Sequence, residues 1–310
     1  MHDDDHDRGL VFDLEALERQ MMARRRMLGL MAVGGGAMLL NACGGGGDSS
    51  TTSTSGTTAT TTTTTGTGTT GTGTTGTGTT GTGTTGTGTT GSSSCSVTPT
   101  ETNGPYPSDG SNMANGVLSN ILNTSGVVRS DIRSSFAGLS GTAAGVPLTL
   151  TINLQNTNAS CAALADYAIY IWHCDQDGHY SLYDLPQQNY LRGVQATNSS
   201  GQATFTTIFP GCYSGRYPHI HFEVYRSLST ATNYSNRLLV SQFAMPAAAC
   251  TAVYAAGGYT GSASRFTQTS TSNDNVFGDN TSAQIAAMTP ALTGSPSAGY
   301  TGTVTVGLAV

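Results

Sequence analysis

The chain has 310 residues and a net charge of −6, and all twelve of its basic residues are arginine. Charged residues make up only 10% of it, and the basic ones form no stripe beyond Arg24, Arg25 and Arg26, which argues against a nucleic-acid surface. The length allows one large or two small domains, but the composition of the first third leaves little there that can pack, so the fold must lie in the remainder.

Residues 24–43 read RRRMLGLMAVGGGAMLLNAC: a basic cluster, an apolar stretch, then small residues before a cysteine. The pattern is that of an export signal, and the apolar stretch is shorter than the ~20 residues a spanning helix needs. The arginines followed by Met27 and Leu28 resemble a twin-arginine signal. LNAC resembles a lipoprotein box, which would make Cys43 the lipidated first residue of the mature protein. A short transmembrane anchor, or a cysteine there by chance, is the alternative. Residues 1–43 are therefore assigned as an export and lipoprotein signal. The protein is expected outside the cytoplasmic membrane, periplasmic or at the cell surface, with membrane contact only through a lipid at Cys43.

From Asp48 to Ser94 the chain is almost entirely Thr, Gly and Ser, and GTGTT occurs five times between Gly66 and Thr90. Apart from Ala59 this tract has no apolar residue to bury, so 44–95 is expected to be a disordered linker. A flexible tether of this kind spreads about 5–6 Å times the square root of its length, several tens of ångströms, and would hold a domain off the membrane.

The domain is assigned to 96–310. Its recurrent signal is period two: VPLTLTINL places Val146, Leu148, Leu150, Ile152 and Leu154 on one side, and TVTVGLAV repeats the alternation. Turn clusters such as TNSSGQ (197–202) and DQDG (175–178) separate such runs. Short helices are expected only at 281–288 and 247–256. The expected fold is an all-β sandwich with long loops and few short helices. Export implies an oxidising compartment, so Cys161, Cys174, Cys212 and Cys250, with Cys95 at the domain edge, are expected to form disulfides, in a pairing the sequence does not choose. Thiolate ligation of a metal by Cys174 and Cys212 is the alternative.

CYSGRYPHIHF (212–222) sets His219 and His221 two residues apart. On a strand they share one face about 7 Å apart along the backbone, within chelating reach of one ion. Ile220, Phe222 and Val224 give the other face the apolar alternation of a core strand, so the imidazoles face something else. Trp172 reads as core and mid-strand with His173. Asp175 and Asp177 resemble the start of a calcium loop, but no acidic residue follows at the required spacing and a turn is favoured. His179 reads as a loop residue.

Taken with YIWHCDQDGHYSLYD (170–184), FTTIFPGCYSGRYPHIHFEVY (205–225) and LLVSQFAMP (238–246), this stretch resembles the intradiol ring-cleavage dioxygenases, of the exported type without the helical dimerisation segment. The resemblance runs from about Ser96 to Phe277 through TNGPYPSDG, VRSDIR, LRGVQAT and TSNDNVFG. It implies a non-haem Fe(III) cofactor held by Tyr180, Tyr213, His219 and His221, with Tyr180 equatorial and Tyr213 axial. Phenolate and imidazole suit a hard ferric ion, and two anionic ligands favour ferric over ferrous. Arg216 matches the family's arginine at the substrate ring and Gln242 its glutamine on the following strand, each a fixed group acting where charge develops. Gly104, Pro105 and Tyr106 match a segment lining the pocket mouth, or else pack as an ordinary N-terminal loop.

The implied activity is cleavage of a catechol-type aromatic diol between its hydroxyl-bearing carbons, using O2, to a muconate-type diacid, with Tyr213 leaving the metal to take a substrate proton. The rival is a non-catalytic cell-surface sandwich that binds a ligand at a degenerate metal site. Cys212 after the Pro-Gly turn and the short loop from Tyr213 to His219 depart from the family pattern and leave the particular diol open. Without the helical segment, the family's dimer is not implied.

Overall fold

The computed structural model describes residues 95–310; the signal, and all of the linker but Cys95, lie outside the described residues. The described chain is mostly strand, in three sheets, with few short helices. β1 (Asp109–Ala114) and β2 (Val117–Asn120) form a hairpin whose Asn115 and Gly116 have φ of 51° and 80°. That is the positive-φ pair a two-residue turn between right-twisted strands demands, and Asn-Gly supplies it at low cost.

The second sheet is built on β3 (Pro147–Asn156). Parallel to it runs β11 (Gly299–Leu308), which also pairs with β10 (Ala291–Ser295). On its other edge β3 meets β7 (Gln202–Ile208) and the short β4 (Ala162–Ala163). The third sheet has the order β6 (Arg192–Ala196), β5 (Ala168–Trp172), β8 (His219–Tyr225), β9 (Arg237–Ala244), all antiparallel.

The sandwich interior follows from the period-two pattern. Leu148, Leu150, Ile152 and Leu154 of β3, Phe205 of β7, and Val304 and Val306 of β11 pack against Ile169, Ile171, Ile220, Phe222, Val224, Leu239 and Phe243 of the third sheet. Each such side chain, fully buried, contributes about 1.5–3 kcal/mol relative to exposure. The outer face of the third sheet is covered as well. Residues from the N-terminal segment and the loop after β5, among them Ile121, Leu122, Val127 and Tyr180, close over Ala168, Tyr170, Trp172, Val194, Tyr225 and Val240. The site described below lies in this second layer.

The two expected helices are α1 (Ala247–Ala255) and α3 (Ser282–Met288); a reciprocal Thr281–Gln284 capping box starts the latter. Between them α2 (Ser262–Phe266) was not anticipated, because five residues carry no readable helical period. His173 falls just past the end of β5 rather than within it.

The cysteine expectation needs correcting. One disulfide joins Cys95 to Cys161, whereas Cys174, Cys212 and Cys250 are free and buried. Their sulfurs lie against backbone carbonyls, Cys174 on Gly211 and Cys212 on Arg216 at 3.6 Å, and Cys250 on Met245 at 3.9 Å. Burial pushes the Cys212 thiol up to about 12 and raises the other two, so all three behave as small apolar residues.

Candidate metal centre

Two loops bring the tyrosines of the expected ligand set together. In the loop after β5, the Asp175 carboxylate accepts from the backbone N–H of Asp177 and of His179, both at 3.0 Å, and the Asp175 carbonyl accepts from Gly178. Asp175 and Asp177 thus build a turn, with Tyr190 Oη donating to Asp175 at 3.2 Å. The turn delivers Tyr180, whose N–H is tied to Asp184 at 2.7 Å. The second loop, Pro210–Gly211–Cys212, carries Tyr213.

The loops interlock through two glycines. Gly211 N–H donates to the Asp175 carbonyl, and a Cβ on Gly211 would sit 2.7 Å from the carbonyl oxygens of Asp175 and Gln176. Gly178, at φ +93°, leaves room for the Tyr213 Cβ at 3.0 Å. Neither tyrosine is placed by its own loop alone.

The imidazoles come from the outer face of β8. His219 Nδ1 lies 2.6 Å from the Tyr217 carbonyl. A carbonyl only accepts, so Nδ1 carries the proton and Nε2 offers a lone pair. Around that Nε2 stand Tyr180 Oη at 3.3 Å, Tyr213 Oη at 3.3 Å and His221 Nε2 at 3.0 Å. His221 is held between Trp172, stacked on it at 4.8 Å and 6°, and the backbone of Gly104, where a Cβ would come within 3.1 Å of the ring. Its Nδ1 is buried without a hydrogen-bond partner.

Electrostatics match this enclosure. Burial, reinforced by the Arg216 charge, lowers His219 to about 3; burial and then His219 hold His221 well below the usual histidine range. Both rings are therefore neutral at pH 7. Burial and the neighbouring Tyr213 raise the Tyr180 phenol. A cation among these groups would invert that preference and draw the phenols into their anionic form.

The donor set fits a small metal ion. Two donors each about 2.0–2.1 Å from one ion, at angles of roughly 90–110°, stand roughly 2.8–3.4 Å apart. The observed separations of 3.0 to 3.3 Å fall in that interval. Two oxygens that can become anionic and two imine nitrogens favour a hard, highly charged ion. Among the described residues no group of three or more His, Cys, Asp or Glu side chains could hold a metal ion, so an ion held here would need the tyrosine oxygens as donors.

The other expected site residues gather round this set. Arg216 is buried; its Nη2 donates to Gln242 Oε1 at 2.7 Å, and Gln242 Nε2 donates to the Thr102 carbonyl at 2.9 Å. Gln242 lies opposite His221 in the β8–β9 register. Tyr106 stacks on Tyr180 at 4.6 Å and meets Tyr183 edge-on at 5.2 Å. The Pro105 carbonyl accepts from Asn112 of β1. The 104–106 segment thus both packs on the sandwich and walls the site. His179 stays in the loop, half-buried.

Sequence reasoning missed Asp274. Its carboxylate pairs with Arg216 Nε at 3.0 Å, both side chains being buried. Burial alone would raise this carboxyl, but Arg216 holds it below its ordinary value. The residue lies inside TSNDNVFG, a segment that carries the resemblance without pointing to Asp274 itself. Glu223 was missed too. It is buried on the same face of β8, accepting from Tyr225 Oη at 2.6 Å and from Arg237 at 3.1 Å.

No protein-family model and no curated protein sequence matches the chain. Among solved structures it is similar to an intradiol ring-cleavage dioxygenase from Tetranychus urticae, at 23% identity over 69% of this chain and 94% of that one, with a TM-score of 0.52. More distant are the dioxygenase domain of a carbohydrate-binding fusion protein from Streptomyces sp. SirexAA-E (21% identity, 69% and 99% covered, TM-score 0.42) and catechol 1,2-dioxygenase from Pseudomonas arvilla C-1 (17%, 68% and 62%, TM-score 0.41). At these identities the likeness is one of fold.

Proposed function

We propose that this protein is a non-haem Fe(III) dioxygenase that opens the ring of a catechol-type aromatic diol between its two hydroxyl-bearing carbons. Both atoms of O2 enter the product, a muconate-type diacid, so no external reductant is consumed. The observation that carries this reading is the convergence of four donor atoms, with Tyr180, Tyr213 and His221 all within 3.3 Å of His219 Nε2. The shared fold supports it.

A ferric ion bound there would supply a hard Lewis acid that lowers the pKa of a chelating diol. The protein's own groups divide the remaining work. Tyr180 is fully buried and fixed through its N–H, whereas Tyr213 is half-buried and follows a loop whose next two residues are exposed. Tyr213, as the phenolate it would be beside a ferric ion, would be the group that gives way to substrate and takes its proton at Oη, becoming the neutral phenol. Arg216, neutralised in part by Asp274 and oriented by Gln242, keeps a fixed positive charge beside the site, where negative charge developing on the ring is stabilised. Gly104, Pro105 and Tyr106 form a wall that orients a flat ring and excludes water.

We also read the N-terminal pattern as export with a lipid at Cys43. The substrate would then be met outside the cytoplasmic membrane.

The test is metal analysis of the full chain after ferric reconstitution, followed by anaerobic titration with catechol. A tyrosinate-to-iron absorption that shifts on adding catechol, and returns with a ring-opened diacid once oxygen is admitted, is the expected result. Tyr213→Phe should retain part of the iron and lose about 10²–10⁴-fold in rate, the range for a removed proton-transfer group. A protein that stays colourless and leaves catechol intact overturns the reading in favour of a non-catalytic binding module.

A further inference from the structure

Asp274 is bonded on two sides. Its carboxylate accepts from the backbone N–H of Val276 at 2.9 Å and of Phe277 at 3.0 Å, both at Oδ1, so the turn that contains it sets where it points. The same carboxylate accepts from Arg216 Nε at 3.0 Å and Nη2 at 3.4 Å, and from the Tyr217 N–H at 2.6 Å. The carbonyl of Tyr217 in turn accepts from His219 Nδ1 at 2.6 Å. A two-point guanidinium–carboxylate contact fixes the plane of the arginine as well as its position. A carbonyl on Nδ1 fixes the rotation and tautomer of the imidazole.

We infer that Asp274 is a positioning residue for the reaction proposed above: one buried carboxylate, anchored by its own turn, sets the guanidinium plane of Arg216 and, by holding the backbone of Tyr217 at its N–H, the direction in which His219 presents Nε2. This inference rests on the proposed function for its catalytic meaning, but the positioning itself belongs to the protein alone. The carboxylate touches none of the four donor atoms, so its influence is exerted entirely through Arg216 and Tyr217. Pairing with Asp274 also explains how a cation can be buried beside two neutral imidazoles, since an uncompensated charge there would be strongly destabilising.

The experiment compares wild type with Asp274→Asn in the full chain. Asparagine retains an Oδ1 to cap Val276 and Phe277 but turns an N–H2 group toward Arg216 Nε and the Tyr217 N–H. A residue that only caps its turn would tolerate the change. The first readout needs no metal: hydrogen exchange of the Arg216 Nε–H by nitrogen-15 NMR on the metal-free protein. Positioning predicts exchange at least about ten times faster in the variant; unchanged exchange overturns the inference. The second readout is turnover of catechol by the ferric protein. Here kcat should fall about 10²-fold, the loss typical of one misplaced charge-stabilising donor, with KM within a few-fold and the iron absorption retained. Faster exchange with kcat unchanged overturns the catalytic role. Should the wild type fail to cleave catechol while the exchange effect appears, the proposed function falls and the positioning stands. If Asp274→Asn does not fold, Asp274→Glu keeps the charge but displaces it by one methylene, and is read by the same exchange criterion.

Discussion

Strand β8 shows its two faces to two differently built interiors. Ile220, Phe222 and Val224 point into the sandwich and join the apolar cluster that contains Leu148, Leu150 and Phe243. His219, His221, Glu223 and Tyr225 point the other way and are equally buried, yet each carries polar atoms. The first face is stabilised by burial itself. The second must satisfy what it buries, and it does so unevenly. Tyr225 is bonded to Glu223, and His219 Nδ1 to a carbonyl, but His221 Nδ1 has no partner, and Glu223 lies close to Asp109 with Arg237 between them. Burial pushes the Glu223 carboxyl well above the usual carboxylate range, and Asp109 adds to the shift. Equal burial on the two faces of one strand therefore has different energetic consequences: the apolar face gains from it directly, while the polar face depends on the partners it finds.

The largest expected effect lies on the apolar face. Phe222→Ala removes a ring stacked on Phe243 at 4.2 Å and should destabilise the fold by about 3–5 kcal/mol in denaturant unfolding. A loss below about 1 kcal/mol would mean that the sandwich interior is not the source of stability assumed here.

Gly104→Ala probes the contact between the covering segment and the polar face. The position has φ +67° and its Cβ would come 3.1 Å from the His221 ring, so a loss of about 1–3 kcal/mol is expected, together with weaker iron uptake by metal analysis. Iron uptake equal to wild type would show that the 104–106 wall does not bear on the imidazole.

The pH dependence of the metal-free protein should reveal two opposing slopes. His219 titrates near 3 when folded and near 6.5 when unfolded, so the unfolded chain binds more protons between those values. Stability should fall as pH drops from about 6.5 toward 3. Glu223 acts in reverse. Its folded value is raised, the folded protein holds the extra proton, and this contribution is lost as pH rises above the ordinary 4.5. Between pH 4.5 and 6.5 the two contributions oppose each other, so Glu223→Gln should make the thermal midpoint rise more steeply with pH there than in wild type and should remove the decline that Glu223 causes at higher pH. A variant profile that coincides with the wild type would show that Glu223 is ionised in the fold.

The smallest effect on stability is expected at the centre of the site. His221→Leu replaces a ring with an unsatisfied buried nitrogen by an apolar group, and the metal-free variant should lie within about 1 kcal/mol of wild type while iron binding is abolished. A large loss of stability without metal would make His221 a structural residue first.

How much of this could be read from the chain depends on which face is considered. Leu148 through Leu154 alternate strictly, and β3 is where they predict it. β11 is also visible in its alternating Thr and Val. The polar face was legible only in part. The spacing of His219 and His221 shows that they share a side, but not that this side is sealed, because the cover comes from Gly104 and Tyr180, in other parts of the chain. Asp274 stands 58 residues from the arginine it pairs with, and no local pattern links them. The cysteines show the same limit: Cys95 and Cys161 pair, but no sequence pattern separates them from Cys174, Cys212 and Cys250, whose pairing is decided by where their backbones place the sulfurs.

The parallel pairing of β11 with β3 bears on the order in which the molecule can be assembled. Tyr300 lies opposite Leu148 and Leu308 opposite Asn156, so one edge of β3 is closed by a strand made long after it. A ribosome that has reached residue 290 has already released every strand of the β6–β5–β8–β9 sheet, yet Leu150 and Ile152 still lack the β11 partner that shields them. Such non-local closure makes folding slow and exposes apolar strand surface in the interval. A nascent chain of this kind would need shielding until β11 emerges, and truncation ahead of Gly299 would leave β8, with His219 and His221, intact in sequence on a sandwich that cannot shut.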